Sequence, residues 1–239
     1  RICKVIDKLI DEAGNKKMIS GIGAGAPGII SENDGIIITS PNLPWKNYNL
    51  KAKIEDEYNI PFYLENDVNV GILGEWRYGA GKGADNLIGI FVGTGIGGGL
   101  ILDGSLYKGN IGGAGEIGHM SVNPDGPICG CNSKGCLETM ASKTGMLREI
   151  EARIKRGEET ILEELLKGKK ILKSSYLKEG YDKKDRVTLE ILETSCKYIG
   201  VGVASLINIL NPDVIVFGGG IMEKLGDELL PKIRNYANR

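Results

Sequence analysis

Hydrophobic residues recur along this chain with a helical period in some stretches and as unbroken runs in others. Apolar residues spaced three and four apart predict an amphipathic helix over residues 2–13. Unbroken apolar runs at 87–92 and 214–217 are typical of buried strands. The longest helical stripe, which predicts one core-facing helix, consists of Leu189, Leu192, Cys196, Ile199, Val203, Leu206 and Leu210.

Shorter segments fill the intervals between these elements. Turn and cap residues mark the ends of these shorter segments. They predict strands at 19–23, 35–39, 61–65 and 100–102, and helices at 50–58, 68–78 and 137–155. The charged residues 156–186 are predicted to form short helices and loops at the surface. The small, flexible residues 80–84 are the best candidate for a linker, so we expect one domain at 1–82 and a second at 83–239.

Composition narrows the classes of function. The chain has 239 residues, of which 41% are hydrophobic, which is typical of a packed core. Its 30 basic and 31 acidic residues leave a net charge of −1, so no electrostatic footprint for nucleic acid is present. No apolar run reaches the roughly 20 residues that span a bilayer. The odd count of five cysteines favours metal binding or free thiols, and predicts a reducing, cytoplasmic setting.

Residues 113–138 hold the only histidine of the chain and most of its cysteines. His119, Cys129, Cys131 and Cys136 offer one imidazole and three thiolates, which is a standard tetrahedral zinc set. Four protein ligands leave no open position, so we expect a structural metal rather than a catalytic one. The alternative is three free cysteines and an unrelated histidine.

Two carboxylates flank the predicted zinc site. Glu116 precedes His119 by three residues, and Glu138 follows Cys136 by two. A metal bound through these neighbours would hold both carboxylates rigidly, at low entropic cost when a polar ligand binds. The imidazole nitrogen that does not ligate zinc can donate to a ligand hydroxyl or to a carboxylate. Paired carboxylates are also found in glycoside hydrolases, but that chemistry has no use for a phosphate loop.

A glycine-rich segment at 93–99 matches the dinucleotide pattern G-x-G-x-x-G in form only. That pattern requires a helix directly after the loop, whereas β-type residues follow here and predict an antiparallel hairpin. Backbone amides of a glycine hairpin, with the hydroxyl of Thr94, can still surround a phosphate. The sequence therefore predicts a phosphate-binding hairpin, and the alternative is a glycine hairpin without a ligand.

Asp67 stands where a predicted strand passes into a predicted helix. Ligands collect at the carboxyl ends of strands in open α/β sheets, and a carboxylate there can act as a general base toward a substrate hydroxyl. Asn66 beside it can bind neighbouring hydroxyls. Asp is also a favoured N-cap residue, so the sequence leaves a purely structural role for Asp67 equally open.

Together these residues resemble the ROK family of repressors, open reading frames and sugar kinases, and its bacterial glucokinase-type members in particular. The motifs that carry the likeness cover nearly the whole chain, in order: Gly25-Ala26-Pro27-Gly28, Asn42-Leu43-Pro44-Trp45, Glu65-Asn66-Asp67-Val68-Asn69, Gly93 to Gly99, Gly115-Glu116-Ile117-Gly118-His119, Cys129 to Glu138 and Gly218-Gly219-Gly220-Ile221. The resemblance implies the actin-like ATPase (ribonuclease H-like) fold, with two α/β domains and a cleft between them. It also implies a homodimer.

The resemblance further implies an ATP-dependent hexokinase that acts on the 6-hydroxyl of a hexose, with glucose the expected sugar. Asp67 would be the general base. Asn42, Asn66, Asp67, Glu116, His119 and Glu138 would bind the sugar, and His119, Cys129, Cys131 and Cys136 would hold a structural Zn²⁺. Gly93, Thr94 and Gly95 would meet the phosphates of ATP, and Gly218, Gly219 and Gly220 would lie along the adenosine. Mg²⁺ would accompany ATP, because phosphoryl transfer needs its charge neutralised.

Two other classes of function fit the same motifs. Similar proteins include sugar-responsive transcriptional repressors with a winged helix before the zinc and sugar motifs, and a zinc-stiffened sugar-binding module without catalysis is the third reading. Similar kinases begin with a strand and hairpin that carry an Asp-x-Gly-Gly-Thr motif, which does not occur here. We therefore expect the chain to be truncated at both ends and any activity to belong to the parent protein.

Overall fold

The structure, a computed structural model, describes residues 1–31, 34–40 and 43–238. Asn42, a predicted sugar-binding residue, lies outside the described residues. The chain divides into two units, of which the first comprises Arg1–Gly74 with Lys108–Ala114, and the second comprises Glu75–Tyr107 with Gly115–Arg239. The predicted domains 1–82 and 83–239 remain a prediction. None of the described helices is long and apolar enough to cross a membrane.

In the first unit, the described residues form two small sheets and three α-helices, and the last helix extends past Gly74. The helices are α1 (Ile2–Ala13), α2 (Leu50–Tyr58) and α3 (Asp67–Tyr78), and the strands are β1 (Ile22–Ala26), β2 (Ile29–Ser31), β3 (Ile36–Thr39), β4 (Lys46–Asn49) and β5 (Phe62–Asn66). Strands β1 and β5 pair in parallel, whereas β2, β3 and β4 form an antiparallel sheet in that order. Ile37, Ile54 and Phe62 are fully or almost fully buried in the core of this unit.

The second unit contains one mixed sheet covered by helices. Its strands are β6 (Leu87–Val92), β7 (Ile96–Leu102), β8 (Ser105–Tyr107) and β9 (Val214–Gly218), in the order β8-β7-β6-β9. Strand β9 runs parallel to β6, and the other pairs are antiparallel. The helices are α4 (Leu137–Ala141), α5 (Lys143–Lys155), α6 (Ile161–Leu166), α7 (Ser174–Asp182), α8 (Arg186–Leu210) and α9 (Met222–Ala237). The predicted long helix is confirmed as α8, with Leu192, Cys196 and Ile199 buried.

Two predictions about this unit were wrong. The predicted helix 137–155 is two helices, because Ser142 has an extended backbone and its side chain caps α5 by accepting from the Gly145 amide (3.1 Å). The segment 156–186 is not confined to the surface. Leu162 and Leu177, from α6 and α7, are fully buried in the main core, so the charges of this segment mark only its outer faces.

The glycine hairpin is confirmed, with a shorter loop than expected. Strand β7 begins at Ile96, opposite Val92, so only residues 93–95 form the turn. The glycines at 97–99 belong to β7. At Gly98 an added Cβ would collide with the buried Ile117 side chain. Strand β7 therefore requires glycine at this position, where the chain after residue 115 packs on it.

Candidate active site and metal centre

The end of strand β5, in the first unit, is held by the side chain of Asn66. Its Oδ1 accepts from the amides of Val68 (2.9 Å) and Asn69 (3.2 Å), so Asn66 satisfies the first turn of α3. Its Nδ2 donates to the Gly28 carbonyl at 3.2 Å. Gly28 has a φ of 114°, and an added Cβ would meet the Thr39 carbonyl oxygen, so the approach requires glycine.

Asp67 is the first residue of α3, and its side chain is exposed. Its Oδ1 accepts from the adjacent Val68 amide at 3.0 Å. Among the described residues, no protein donor reaches its Oδ2. Gly25 lies against this residue, since an added Cβ there would stand 3.0 Å from the Asp67 Cα. Asn66, rather than Asp67, therefore makes most of the N-cap hydrogen bonds of α3, and one carboxylate oxygen of Asp67 is open to solvent.

Glu65, the residue before Asn66, holds the end of strand β5 through hydrogen bonds and an ion pair. Its Oε1 accepts from the Asn66 amide (2.8 Å) and from Asn69 Nδ2 (3.1 Å), and its Oε2 pairs with Lys108 Nζ at 2.5 Å. Burial raises the pKa of Glu65, but the bonds from Lys108, Asn66 and Asn69 outweigh burial and hold that pKa below its usual value. Glu65 therefore links segment 108–114 to the strand that presents Asn66 and Asp67.

The four predicted metal ligands converge in the second unit. One ligand atom from each of His119, Cys129, Cys131 and Cys136 lies within 4.8 Å of every other. Cys129 Sγ is 3.6 Å from His119 Nδ1, and Cys131 Sγ is 3.6 Å from Cys136 Sγ. Tetrahedral zinc, with bonds of about 2.0–2.3 Å, places its ligands roughly 3.3–3.8 Å apart. The residues present therefore fit the predicted zinc site.

Local backbone pairing shapes this cluster, which we call the metal knot (residues 119–136). Isolated bridges join Ser121 to Cys136 and Ile128 to Lys134, and the Cys129 amide donates to Ser133 O at 2.8 Å. The Ser133 amide lowers the pKa of Cys131 to about 6, whereas burial raises the pKa of Cys136 to about 12. Burial thus favours the neutral thiol of Cys136, and a bound metal would favour its thiolate form.

The two flanking carboxylates emerge from the metal knot in different ways. Glu116 is mostly exposed and its Oε2 is 3.9 Å from His119 Nε2, so that the ring presents Nδ1 to the thiols and Nε2 toward the carboxylate. Glu138, in the short helix α4, accepts from the Ile96 amide with Oε2 at 2.9 Å. Glu138 thus fixes the first residue of β7 and touches the glycine hairpin.

Both glycine loops lie at the carboxyl ends of neighbouring strands. Residues 93–95 follow β6, and the loop 218–220 ends β9 and begins the approach to α9. The Ile221 amide donates to Val92 O at 3.2 Å, so the second loop folds back over the end of β6. Gly219 has a φ of 86°, and an added Cβ would stand 2.7 Å from Val92 O. Ligands collect at such edges in α/β proteins.

Three side chains near these loops were not identified from sequence: Lys143, Thr144 and Ser174. Thr144 donates to Thr94 O with its Oγ1 (2.8 Å) and with its amide (3.2 Å). The position of an added Cβ on Gly220 is 3.3 Å from Ser174 Oγ and 3.9 Å from Lys143 Nζ. No short motif marks these residues, because they are brought to the loops by helix packing.

Comparison with known proteins gives one family. A family model described as ROK family matches residues 1–239. A glucokinase of Halalkalibacterium halodurans is 38% identical over 237 residues, which are 98% of this chain and 72% of that protein. A xylose repressor of Caldicellulosiruptor bescii is 35% identical over 236 residues, and the chain spans only 59% of its length.

A solved structure is similar over almost the whole chain. It is a ROK family glucokinase from Streptomyces griseus in complex with glucose and AMPPNP, with a TM-score of 0.83 and 32% identity, and it covers 99% of this chain and 76% of its own. The fold of this chain is the α/β actin-like ATPase fold, as the resemblance implied.

Proposed function

The chain belongs to the ROK family, and on that premise we propose that it phosphorylates a hexose at the 6-hydroxyl with ATP, and that glucose is the preferred sugar. The broader class, a sugar kinase, follows from its glucokinase and hexokinase relatives. The observation that carries the finer proposal is the open carboxylate of Asp67 at the end of β5, where Asn66 has taken over the helix cap.

In this mechanism Asp67 is the general base. Its Oδ2 accepts the proton of the 6-hydroxyl while the sugar oxygen forms a bond to the γ-phosphorus of ATP, and the bond from that phosphorus to the β,γ-bridging oxygen breaks. ADP leaves, and the protonated carboxyl returns its proton to water. Such proton transfer contributes about 10²–10⁴-fold to rate.

The remaining sugar hydroxyls are assigned to neutral and acidic side chains. Asn66 has one Nδ2 hydrogen left for a hydroxyl after its bond to Gly28 O. Glu116 is exposed and free to accept, Glu138 has its Oε1 available, and His119 can donate from Nε2 when Nδ1 ligates the metal. Asn42 keeps its proposed role as a further sugar ligand.

Phosphates and metals complete the proposal. Gly93, Thr94 and Gly95 would surround the phosphates, and Gly218, Gly219 and Gly220 would lie along the adenosine. Mg²⁺, bound with ATP, would neutralise the phosphates. Zn²⁺ in the metal knot would brace Glu116, His119 and Glu138 and would supply no reacting group, since four protein ligands close its coordination. A cytoplasmic setting and a homodimer remain predictions.

A sugar-responsive repressor is the second candidate, because the xylose repressor of C. bescii is nearly as similar as the glucokinase. That class binds sugar without consuming ATP. The open Asp67 carboxylate and the shaped glycine loops favour the kinase, since a repressor needs neither. The two candidates therefore differ in turnover.

The direct test is ADP release by the purified full-length protein with MgATP and a panel of hexoses. We expect turnover with glucose above that with mannose, fructose or N-acetylated hexosamines. The sugar 6-deoxyglucose, which lacks the accepting hydroxyl, should compete with glucose without being phosphorylated. Tight glucose binding with no ADP release would reject the kinase in favour of the repressor, and phosphorylation elsewhere on the ring would reject the 6-hydroxyl.

A further inference from the structure

Lys143 is the residue that connects the two glycine loops of the second unit. Its amide donates to Gly93 O at 3.0 Å, in the hairpin turn, and its Nζ is 3.9 Å from the position of an added Cβ on Gly220. The backbone of this residue is thus anchored to one loop, while its ammonium group lies over the other.

Lys143 as a whole residue is half-buried, and it forms no ion pair with any of the acidic side chains that the structure describes. An anionic ligand beside this ammonium group would supply the charged partner that the described residues do not. The position of Lys143 between the two glycine loops makes its side chain a candidate anion-binding group.

The backbone of α5 offers no alternative anion site. The amides of Lys143 and Thr144 donate to Gly93 O and Thr94 O, the Gly145 amide donates to Ser142 Oγ, and the Met146 amide donates to Ser142 O. All first-turn donors of the helix are therefore used within the protein. Any contribution of α5 to anion binding must therefore come from a side chain.

We propose that the Lys143 ammonium group binds the α- and β-phosphates of the nucleotide. This inference rests on the proposed function, in which one loop meets the phosphates and the other lies along the adenosine. A group that reaches from the first loop to the second lies where the non-transferred phosphates join the nucleoside. Lys143 therefore recognises ADP as well as ATP and does not recognise adenosine.

The test compares ADP and adenosine binding by calorimetry in the full-length protein. In Lys143→Met we expect ADP affinity to fall roughly tenfold or more, as for loss of a charge-assisted hydrogen bond. Adenosine affinity should stay within about twofold, because no charge is involved in that contact. Lys143→Arg should restore most of the ADP affinity, and Lys155→Met, at the exposed far end of α5, should change neither ligand.

Salt provides an independent measurement. Added salt should weaken ADP binding to the wild-type protein more than to Lys143→Met, since screening acts on the missing charge pair. Unchanged ADP affinity in Lys143→Met, or equal losses for ADP and adenosine, would overturn the inference while leaving the kinase intact. Failure of the wild-type protein to bind ADP would instead overturn the proposed function and this inference together.

Discussion

The end of strand β5 and the metal knot are held by different forces, although both are proposed to serve one sugar. At the strand end, Glu65, Asn66 and Lys108 are joined by hydrogen bonds and an ion pair among groups of the same unit. In the metal knot, one imidazole and three thiols point at one another, and the direct contacts between them are the 3.6 Å pairs Cys129–His119 and Cys131–Cys136. The first region is held by protein groups alone, whereas the second is proposed to be held by a bound metal ion.

This difference predicts unequal responses to perturbation. Removing one hydrogen-bond partner from the strand end leaves the others in place. In the proposed zinc site, removing a ligand would release the metal, and with it the link that joins the segments carrying Glu116 and Glu138. Changes to the metal knot should therefore have the larger effect on stability and on sugar binding.

The largest effect is expected from Cys136→Ser. This fully buried ligand precedes Glu138 by two residues, so its loss should release the metal and the carboxylate together. We expect a loss of about 4 kcal/mol in the free energy of unfolding, or a Tm roughly 10 °C lower, by calorimetry. Glucose affinity should fall in parallel.

Metal analysis of the wild-type protein accompanies this variant and should give one zinc per chain. Cys3→Ser, at an exposed cysteine outside the metal knot, should leave the zinc content and the Tm unchanged. Protein without bound zinc, together with a wild-type Tm in Cys136→Ser, would show that the cluster needs no metal.

A smaller effect is expected from Lys108→Met in the first unit. The change leaves the Glu65 carboxylate, which is only about one-fifth exposed, without its ion pair. We expect a loss of about 1–2 kcal/mol in stability, between the values for exposed and buried pairs, and a KM for glucose several-fold higher. Lys108→Arg should restore both values, and Lys8→Met, at an exposed pair with Glu12, should change neither.

The pH dependence of Lys108→Met sharpens the same comparison. The pKa of Glu65 is lower in the folded wild-type protein than in the unfolded chain. At a pH between these two pKa values, the unfolded chain binds more protons than the folded protein, so stability rises with pH. This contribution to stability is present above the unfolded pKa, about 4.3, and is lost as the pH falls through the folded pKa. The variant should lack this part of the slope in acid unfolding. Identical acid slopes in the two proteins would remove the ion pair from the account.

The smallest effect is expected from Thr144→Val at the glycine hairpin. The substitution removes the hydroxyl bond to Thr94 O and leaves the amide bond to the same atom. One net hydrogen bond of about 1 kcal/mol corresponds to a KM for MgATP raised up to about fivefold, with kcat almost unchanged. Thr144→Ser should behave as wild type in steady-state kinetics, and equal KM values for the Ser and Val variants would contradict this positioning role.

Much of the fold follows from periodic patterns in the sequence. The stripe in α8 and the apolar run in β6 identify those elements because burial imposes their spacing. The break between α4 and α5 was missed, because Ser142 interrupts a helical pattern that continues on both sides of it. Strands β2 and β4 were missed too, since a three-residue strand and the polar Lys46–Asn49 carry no strand signal.

The candidate site was predictable where chemistry requires rare residue types. Cysteines at this spacing, with one histidine, indicate a metal cluster from the sequence alone. Contacts between distant, common residues were not predictable. Lys108 and Lys143 look like ordinary surface charges in the sequence, and only folding brings them to Glu65 and to the glycine loops.

The central claim, that Asp67 is the base of a hexose kinase, is tested most directly by Asp67→Asn in the full-length protein. The measurement is ADP release at saturating glucose and MgATP, with glucose affinity determined by calorimetry on the same preparation. We predict that kcat falls by roughly 10²–10⁴-fold, while the glucose Kd stays within a few-fold of the wild-type value. A kcat within tenfold of wild type would contradict the account.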